Sequence, residues 1–334
     1  MVAASSWLAD SANAADSSTA APSKWAPPKT AWGDPDLQGV WTSDDTYGVP
    51  FERPEKFGTR RTLTEQEREQ RAKDNAIIQN GIEEGSRPNA GFFTTQKGVD
   101  AAAVPSNWLE FAKHTSLQTS LIVDPPNGRL PALTEDGKAR RAKMPFYFNM
   151  RPASWEDMTM YDRCISRGPT GSITPAIYGN GTQIVQARGV VAIRNEMIHE
   201  TRLVPLDGRP HAAASMRTYM GDPRGHWEGN TLVVESTNFI GGRLSAGGGV
   251  SFSDELKLVE RFARISDNAI QYEATINDPK TYTAPFTISF PITHDPGYQI
   301  FEYACHEGNY AMRNRLSAAR AEEKAEAEKA AASK

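Results

Sequence analysis

The chain has 334 residues, of which 39% are hydrophobic and 23% charged, an ordinary globular balance that can bury a sizeable core. Its formal net charge of −4 leaves no basic surplus to neutralise phosphates, so we expect no nucleic-acid partner. Because no apolar stretch of the sequence reaches the roughly 18 residues that a membrane-spanning helix needs, we expect no membrane span.

The N-terminal segment, residues 1–30, is rich in alanine and serine, which predicts a disordered tail or the remnant of an export leader. Within it, Ala12-Asn13-Ala14 has the small-x-small form of a signal-peptidase site. The stretch before this tripeptide is short and lacks a basic segment, so both interpretations stay open.

A single β-rich domain is predicted over residues 31–317, because glycine (26) and proline (22) are plentiful and favour turns between short strands. A helical insertion is predicted at about residues 62–82, where Thr64 and Glu67 have the spacing of a capping box. The other elements predicted before residue 145 are strands over 36–43 and 117–124 and a short basic helix over 134–144.

From residue 183 onward, segments that alternate apolar and polar residues recur between turn-forming pairs such as Asp207-Gly208 and Gly229-Asn230. This pattern is typical of half-buried strands that pair antiparallel. We therefore predict a mainly β protein, an antiparallel β-barrel with a few peripheral helices. Residues 318–334 are helix formers with little apolar face, which predicts a solvated C-terminal helix. The strands predicted in this half cover residues 183–187, 189–195, 197–204, 230–238, 255–265, 270–277, 285–291 and 299–305.

Gly39-Val40-Trp41, on the first predicted strand, resembles the G-x-W signature of lipocalins and related calycin barrels. In those barrels the tryptophan closes one end. The resemblance implies a lipocalin/calycin-like β-barrel, and it agrees with the succession of strands after residue 183.

A second resemblance extends over most of the chain and includes the stretches GHWEGNTLVV and EYACHEGNY. The four segments that carry it are residues 35–41, 225–234, 259–262 and 302–310. Together they resemble a family of exported bacterial proteins. That resemblance implies a periplasmic or secreted protein with a single fold, and it supplies no catalytic assignment.

The two cysteines, Cys164 and Cys305, are too far apart in sequence for a CxxC zinc ribbon or thioredoxin-type motif. In an exported protein they would form one disulfide that closes a loop of about 140 residues. In the cytoplasm they would be two buried thiols. The composition of the N-terminal segment favours export and therefore the disulfide.

Three of the six histidines lie in polar, aromatic segments of the β-rich region. On the predicted strand 197–204, His199 would sit among apolar neighbours and point into the barrel. His226 would lie in a turn at the barrel mouth, residues 222–229. His306 would follow the last strand, beside a cysteine that could anchor it. Each also has an ordinary structural interpretation, as a core histidine, a tight turn or a strand end held by a disulfide.

These segments supply side chains for general acid–base work, because histidine titrates near neutral pH and arginine, asparagine or tyrosine can stabilise an oxyanion. The candidate catalytic residues are His306, His199, His226, Glu307, Tyr303 and Arg202. The candidate substrate-binding residues are Trp227, Tyr272, Asn309, Tyr310 and Arg224.

We therefore predict an exported enzyme that acts on a small organic compound in a barrel cavity, as a lyase, isomerase or hydratase without a cofactor. One alternative is a lipocalin-like protein that binds a small molecule without catalysis. Another is a metalloenzyme with His199, His226 and His306 as ligands, although no H-x-H or H-E-x-x-H motif supports it. A homo-oligomer is compatible with each hypothesis.

Overall fold

The computed structural model describes residues 25–83, 110–143, 151–176, 178–242 and 251–333. The predicted tail up to residue 24, including Ala12-Asn13-Ala14, lies outside these residues. The strands are β1 (Gly39–Thr42), β2 (Ile122–Asp124), β3 (Gly181–Ala187), β4 (Val190–Asn195), β5 (Thr201–Pro205), β6 (Asp222–Glu228), β7 (Thr231–Thr237), β8 (Lys257–Ser266), β9 (Ala269–Asn277) and β10 (Phe286–Thr293). The helices are α1 (Glu65–Glu83), α2 (Glu135–Lys143), α3 (Gly168–Ile173) and α4 (Ala311–Ala332).

The strands form one antiparallel sheet that curls into a nearly closed barrel, so the predicted fold class is confirmed. Around the barrel the order is β5-β4-β3-β1-β10-β9-β8-β7-β6, a meander in which most neighbours in sequence are neighbours in space. The short strand β2 pairs with the same edge of β10 as β1 does, nearer the beginning of β10. In the described part of the chain, no helix is long and apolar enough to cross a membrane.

The barrel closes between β5 and β6, which lie side by side without a backbone ladder among the described residues. Nine strands that alternate in direction leave these last two running parallel, which requires a long crossover connection between them. Gly225 of β6 packs directly on β5, since a Cβ added there would lie 2.7 Å from the side chain of Val204 and 2.6 Å from that of Leu206. Side-chain packing therefore holds the seam.

Side chains fill the barrel interior. The rings of Phe262, Tyr272 and Phe290, on β8, β9 and β10, pack in one layer in tilted and edge-on orientations, with neighbouring centroids 5.1 and 5.3 Å apart. Below them, Arg202 and Glu260 form a fully buried ion pair, with Nη2 to Oε1 at 2.8 Å, and the hydroxyl of Tyr272 donates to the same carboxylate at 3.0 Å. A buried guanidinium and carboxylate need such pairing, because either charge alone would be costly in an apolar core.

The segment 222–229, predicted to be a turn, is instead strand β6. It forms a tight hairpin with β7, with Glu228 opposite Thr231. The chain reverses between them at Gly229, which has a φ of +59° that favours glycine. Pro223 is compatible with this strand because β6 is an edge of the hydrogen-bonded ladder and needs no donor on its outer side.

The prediction of one continuous strand over residues 197–204 is wrong at its beginning. Met197–His199 form a 3-10 turn, and Ile198 and His199 have φ values of +60° and +45°. The turn closes the β4–β5 hairpin, in which Arg194 lies opposite Thr201. Strand geometry begins only at Thr201, so His199 does not point into the barrel and is exposed.

Two further predicted strands are wrong in extent or existence. Residues 299–305 form no strand, because both edges of β10 are already paired and a turn at Asp295–Tyr298 leads the chain away. Of the strand predicted over 117–124, only β2 is regular. The residues before β2 form hydrogen bonds with segments that are not strands. The backbone N–H of Thr119, for example, donates to the backbone oxygen of Arg61.

The helices agree with the sequence pattern in position. The capping box at the start of α1 is present, with the Thr64 backbone N–H donating to the carboxylate of Glu67 at 2.8 Å and the return bond at 3.3 Å. Helix α4 begins at Ala311, earlier than predicted, and most of its side chains are exposed. At the other end of the described chain, the Trp25 indole donates to Asp267 at 3.1 Å.

Candidate active site around the Glu196–Glu200 turn

Three strand ends meet beside the turn that joins β4 to β5, residues 196–200. Thr42 at the end of β1 lies opposite Gly181 at the start of β3, and Thr182 lies opposite Asn195 at the end of β4. Two groups of polar side chains flank the turn. We call them the carboxyl cluster (Asp44, Glu110, Glu196 and Tyr298) and the tyrosine cluster (Tyr161, Arg167, Tyr178 and Tyr303).

In the carboxyl cluster, one phenol bridges two acids. The hydroxyl of Tyr298 lies 2.8 Å from Oε1 of Glu110 and 2.5 Å from Oε2 of Glu196. The carboxyl of Asp44 hydrogen-bonds to that of Glu110, and the side-chain amide of Asn180 donates to Asp44 at 2.8 Å. The acids and the phenol therefore form one connected chain.

The number of oxygen–oxygen contacts sets the number of protons that this hydrogen-bonded series of side chains holds. Asp44 to Glu110, Glu110 to Tyr298 and Tyr298 to Glu196 are three contacts, and each needs one proton to be a hydrogen bond. The phenol supplies one of them. When all three contacts are hydrogen bonds, two protons are therefore shared among the three carboxyl groups, which are then not all ionised.

Burial shifts two of these acids towards their protonated forms. Burial, and secondarily the neighbouring charge of Glu110, raises the pKa of Asp44 from 3.8 to about 7. Burial also raises the pKa of Glu196, although the hydrogen bond from Tyr298 opposes the shift. Asp44, Glu110 and Tyr298 nevertheless remain partly accessible to solvent, so a ligand can reach this acid group.

Gly181 permits the close approach of the side chains in the carboxyl cluster. A Cβ at this position would lie 2.5 Å from Oε2 of Glu196 and 2.7 Å from the ring of Tyr298. Only glycine leaves room for both side chains at the start of β3.

On the other side of the turn, the tyrosine cluster joins three hydroxyl groups. The hydroxyl of Tyr161 lies 2.9 Å from that of Tyr178 and 3.2 Å from that of Tyr303. The guanidinium of Arg167 stands over the ring of Tyr161, 5.3 Å from its centroid. Burial is the main cause that raises the pKa values of Tyr161 and Tyr303, so both phenols stay protonated and can donate hydrogen bonds at neutral pH.

A disulfide between Cys164 and Cys305 anchors this cluster, as predicted. It ties the loop that carries Tyr161 and Arg167 to the segment that carries Tyr303. Cys164 has a φ of +55°, so the backbone is strained here as it is at Ile198 and His199. Strained residues of this kind persist only where the surrounding structure over-determines them.

Two of the predicted catalytic residues come together at this site. Nδ1 of His199 lies 3.3 Å from the backbone oxygen of Tyr303. Among the other candidates at the C-terminal end of the site, the side-chain amide of Asn309 donates to the backbone oxygen of Asp162 at 2.8 Å. Three candidates follow the disulfide with exposed side chains: His306, Glu307 and Tyr310.

The remaining candidates lie elsewhere. His226 is exposed on β6 and contacts Glu228, with 3.2 Å between Nε2 and Oε1. On the same strand Arg224 binds Asp222, and Trp227 packs against the core. Arg202 and Tyr272 belong to the buried network inside the barrel.

The histidines named as possible metal ligands, His199, His226 and His306, do not converge. In the part of the chain that the structure describes, no group of three or more histidines, cysteines or acidic residues is arranged to hold a metal ion.

Sequence reasoning missed most of this site because its members come from separate loops. Asp44 follows β1, Glu110 and Tyr298 lie in irregular segments, and Tyr161 and Arg167 belong to a stretch without periodicity. The usable signal was the high density of tyrosine and arginine between residues 145 and 180. This region has no periodic pattern, so packing of a core does not explain these residues.

Comparison of the chain with family models, with curated proteins and with solved structures found no match. The resemblance to exported bacterial proteins therefore stays a prediction, and the site has to be interpreted from its own geometry.

Proposed function

We propose that the protein is an exported enzyme, of lyase, isomerase or hydratase type, that acts on a small organic compound by general acid–base chemistry. The observation that carries the proposal is the carboxyl cluster, in which Asp44 has a pKa of about 7 and remains partly exposed. A group that titrates near the working pH can both take and give a proton, which is the requirement for acid–base catalysis.

In this proposal, Asp44 exchanges the proton with the substrate. Glu110 is hydrogen-bonded to Asp44, and its carboxyl is the second of the pair, as in sites where two carboxyls share a proton. Tyr298 connects Glu110 to Glu196, so the charge that develops on one acid can be spread over the chain. Carboxyl and phenol groups thereby have the acid–base role that the sequence analysis predicted for histidine.

The substrate binds at the end of the barrel. The interior layers contain fully buried aromatic rings and the Arg202–Glu260 pair, which leave the barrel axis occupied. The carboxyl cluster instead lies where β1 ends and β3 begins, at a rim that solvent reaches. A rim built by loops on a rigid sheet is a common place for reactive groups.

Export is supported by the disulfide, because such bonds form and persist in oxidising compartments. A periplasmic or secreted location also suits the resemblance to exported proteins. The lipocalin-like alternative has the barrel in its favour, but fully buried side chains of the described residues occupy the barrel interior. The metal-dependent alternative lacks a converging set of ligands among the described residues.

The proposal is tested by incubating a metabolite extract with the wild-type protein, Asp44→Asn, Glu110→Gln and a matched control, Glu235→Gln. Glu235 is an exposed acid on β7, away from the cluster. Mass spectrometry then identifies a compound that disappears and a product that replaces it, while circular dichroism verifies that each variant is folded.

We expect turnover with the wild type and Glu235→Gln, and at least a 100-fold lower rate with Asp44→Asn, in keeping with the roughly 10²–10⁴-fold contribution of a positioned acid or base. The wild-type rate should change with an apparent pKa near 7, the value of Asp44. Full activity of folded Asp44→Asn would refute the assignment. A compound that is retained without any product would favour a binding role instead.

A further inference from the structure

The tyrosine cluster contains an arginine, Arg167, whose Nη1 group has no hydrogen-bond partner among the described residues. The Nη1 atom is buried and donates to no group there. The guanidinium stands over the ring of Tyr161, and Glu200 attracts its charge. An arginine side chain stays charged under all ordinary conditions, even where burial lowers its pKa as it does at Arg167. The residue as a whole is partly exposed, but a buried N–H group without a hydrogen-bond partner is costly.

Glu200 attracts the charge of Arg167 but does not bond to its Nη1 group. The carboxylate of Glu200 accepts the backbone N–H of Arg167 at 3.1 Å and a hydrogen bond from the hydroxyl of Ser166. It therefore fixes the loop that carries the arginine, and within the described residues it forms no ion pair with the guanidinium. A hydrogen-bond partner for Nη1 has to come from outside the described residues.

The phenols beside Arg167 are further hydrogen-bond donors. The two contacts of the Tyr161 hydroxyl, with Tyr178 and Tyr303, engage two of the three phenolic protons. The third proton lies between Tyr178 and Tyr303, whose hydroxyl groups also hydrogen-bond to each other, so a ligand oxygen that enters the cluster would replace one of these contacts. Together with the N–H groups of Nη1, the cluster presents hydrogen-bond donors and a positive charge on one side of the Glu196–Glu200 turn.

The space beside Arg167 is small and largely apolar. Arg167 borders a cavity of about 10 Å³ whose other lining includes Phe239, Phe252 and Leu258. That volume holds roughly one water-sized group, about the size of one ligand oxygen. The disulfide and the left-handed residues Ile198 and His199 fix the walls of the cluster, so its donors are held in place before a ligand arrives.

We propose that Arg167 and the hydroxyl groups of the tyrosine cluster bind the carboxylate of a small organic acid. A planar guanidinium matches a carboxylate with two parallel hydrogen bonds, and phenols add neutral donors. That this acid is the substrate rests on the proposed function, whereas its binding does not.

The experiment is isothermal titration of the wild-type protein with acetate, benzoate and succinate, and with acetamide, benzamide and inorganic phosphate for comparison. The same titrations use Arg167→Met, Tyr161→Phe and a matched control, Arg163→Met. Arg163 lies in the same loop and stands over the ring of Trp155 at 4.5 Å, so its loss removes a similar cation without touching the cluster.

We expect at least one carboxylate to bind to the wild type and to Arg163→Met, and its amide to bind at least tenfold more weakly. Arg167→Met should weaken carboxylate binding at least tenfold, and Tyr161→Phe should weaken it to a smaller degree. Without a ligand, Arg167→Met should melt near the wild-type temperature, because the buried Nη1 group has no hydrogen bond to lose.

The proposal is overturned if no carboxylate binds, if phosphate binds more tightly than every carboxylate, or if Arg167→Met retains the wild-type affinity. It is also overturned if Arg167→Met unfolds at a much lower temperature, since the arginine would then hold the fold. Carboxylate binding without any turnover would leave this subsite standing and refute the proposed enzyme.

Discussion

Asp44 should make the stability of the protein fall as the pH rises from 4 to 8. Its pKa is about 7 in the folded chain and 3.8 without the fold, so the folded state binds its proton more tightly. Such a group contributes stability that is fully present below pH 3.8 and is lost as the pH rises through 7. At about 1.36 kcal/mol per pKa unit the shift corresponds to about 4 kcal/mol, and solvent screening at this partly exposed group reduces it to about 2 kcal/mol.

The perturbation is Asp44→Asn, which cannot titrate. The amide of the new side chain can donate to Glu110 as a protonated Asp44 does, so the local hydrogen bond is kept. Urea unfolding of the wild type, Asp44→Asn and the exposed control Glu235→Gln at several pH values gives the free energy of unfolding of each protein.

We expect the wild type and the control to lose about 2 kcal/mol more than Asp44→Asn between pH 4 and pH 8. The sign of the change is diagnostic, because a carboxyl that the fold stabilises in its ionised form would make the free energy of unfolding rise with pH. Parallel pH profiles for the wild type and Asp44→Asn would refute the raised pKa, and with it the main support for the acid–base proposal.

Three other substitutions test the structure around the site. Gly181→Ala should lower the free energy of unfolding by about 1–3 kcal/mol in urea, because its Cβ would clash with a neighbouring carboxylate, and an unchanged midpoint would contradict the close packing. The double variant Cys164→Ala with Cys305→Ala should lose about 2–5 kcal/mol in the same assay, and wild-type stability would show that the cross-link is dispensable. Glu260→Gln should cost about 3–5 kcal/mol by leaving the Arg202 charge unpaired, and simultaneous Arg202→Met should recover much of the loss, which a thermal melt of both variants measures.

The parts of the fold that local pattern controls followed from the sequence. Alternating residues on β8 and β9 place Phe262 and Tyr272 inside the barrel, and the alternation alone predicts that these segments are strands. The same holds for the capping box that begins α1, because it needs only residues three positions apart. The disulfide was also predicted, since only two cysteines are available to form one.

The candidate site depended on distances that no local pattern contains. Asp44 and Glu196 are far apart in the chain and come together only because β1, β3 and β4 pair in one register. The exposed histidine His306 looked as suitable for catalysis as any acid, because sequence spacing does not show burial.

The sequence by itself determined the class of the protein, its strand-rich pattern, the positions of three of its helices and its single cross-link, because these depend on composition and on contacts between near neighbours. The tertiary structure alone decided that the barrel axis is filled and that Arg167 faces three phenols. It also decided that a carboxyl group, Asp44, titrates near pH 7. Burial and charge proximity arise from long-range packing, and a pKa responds to both.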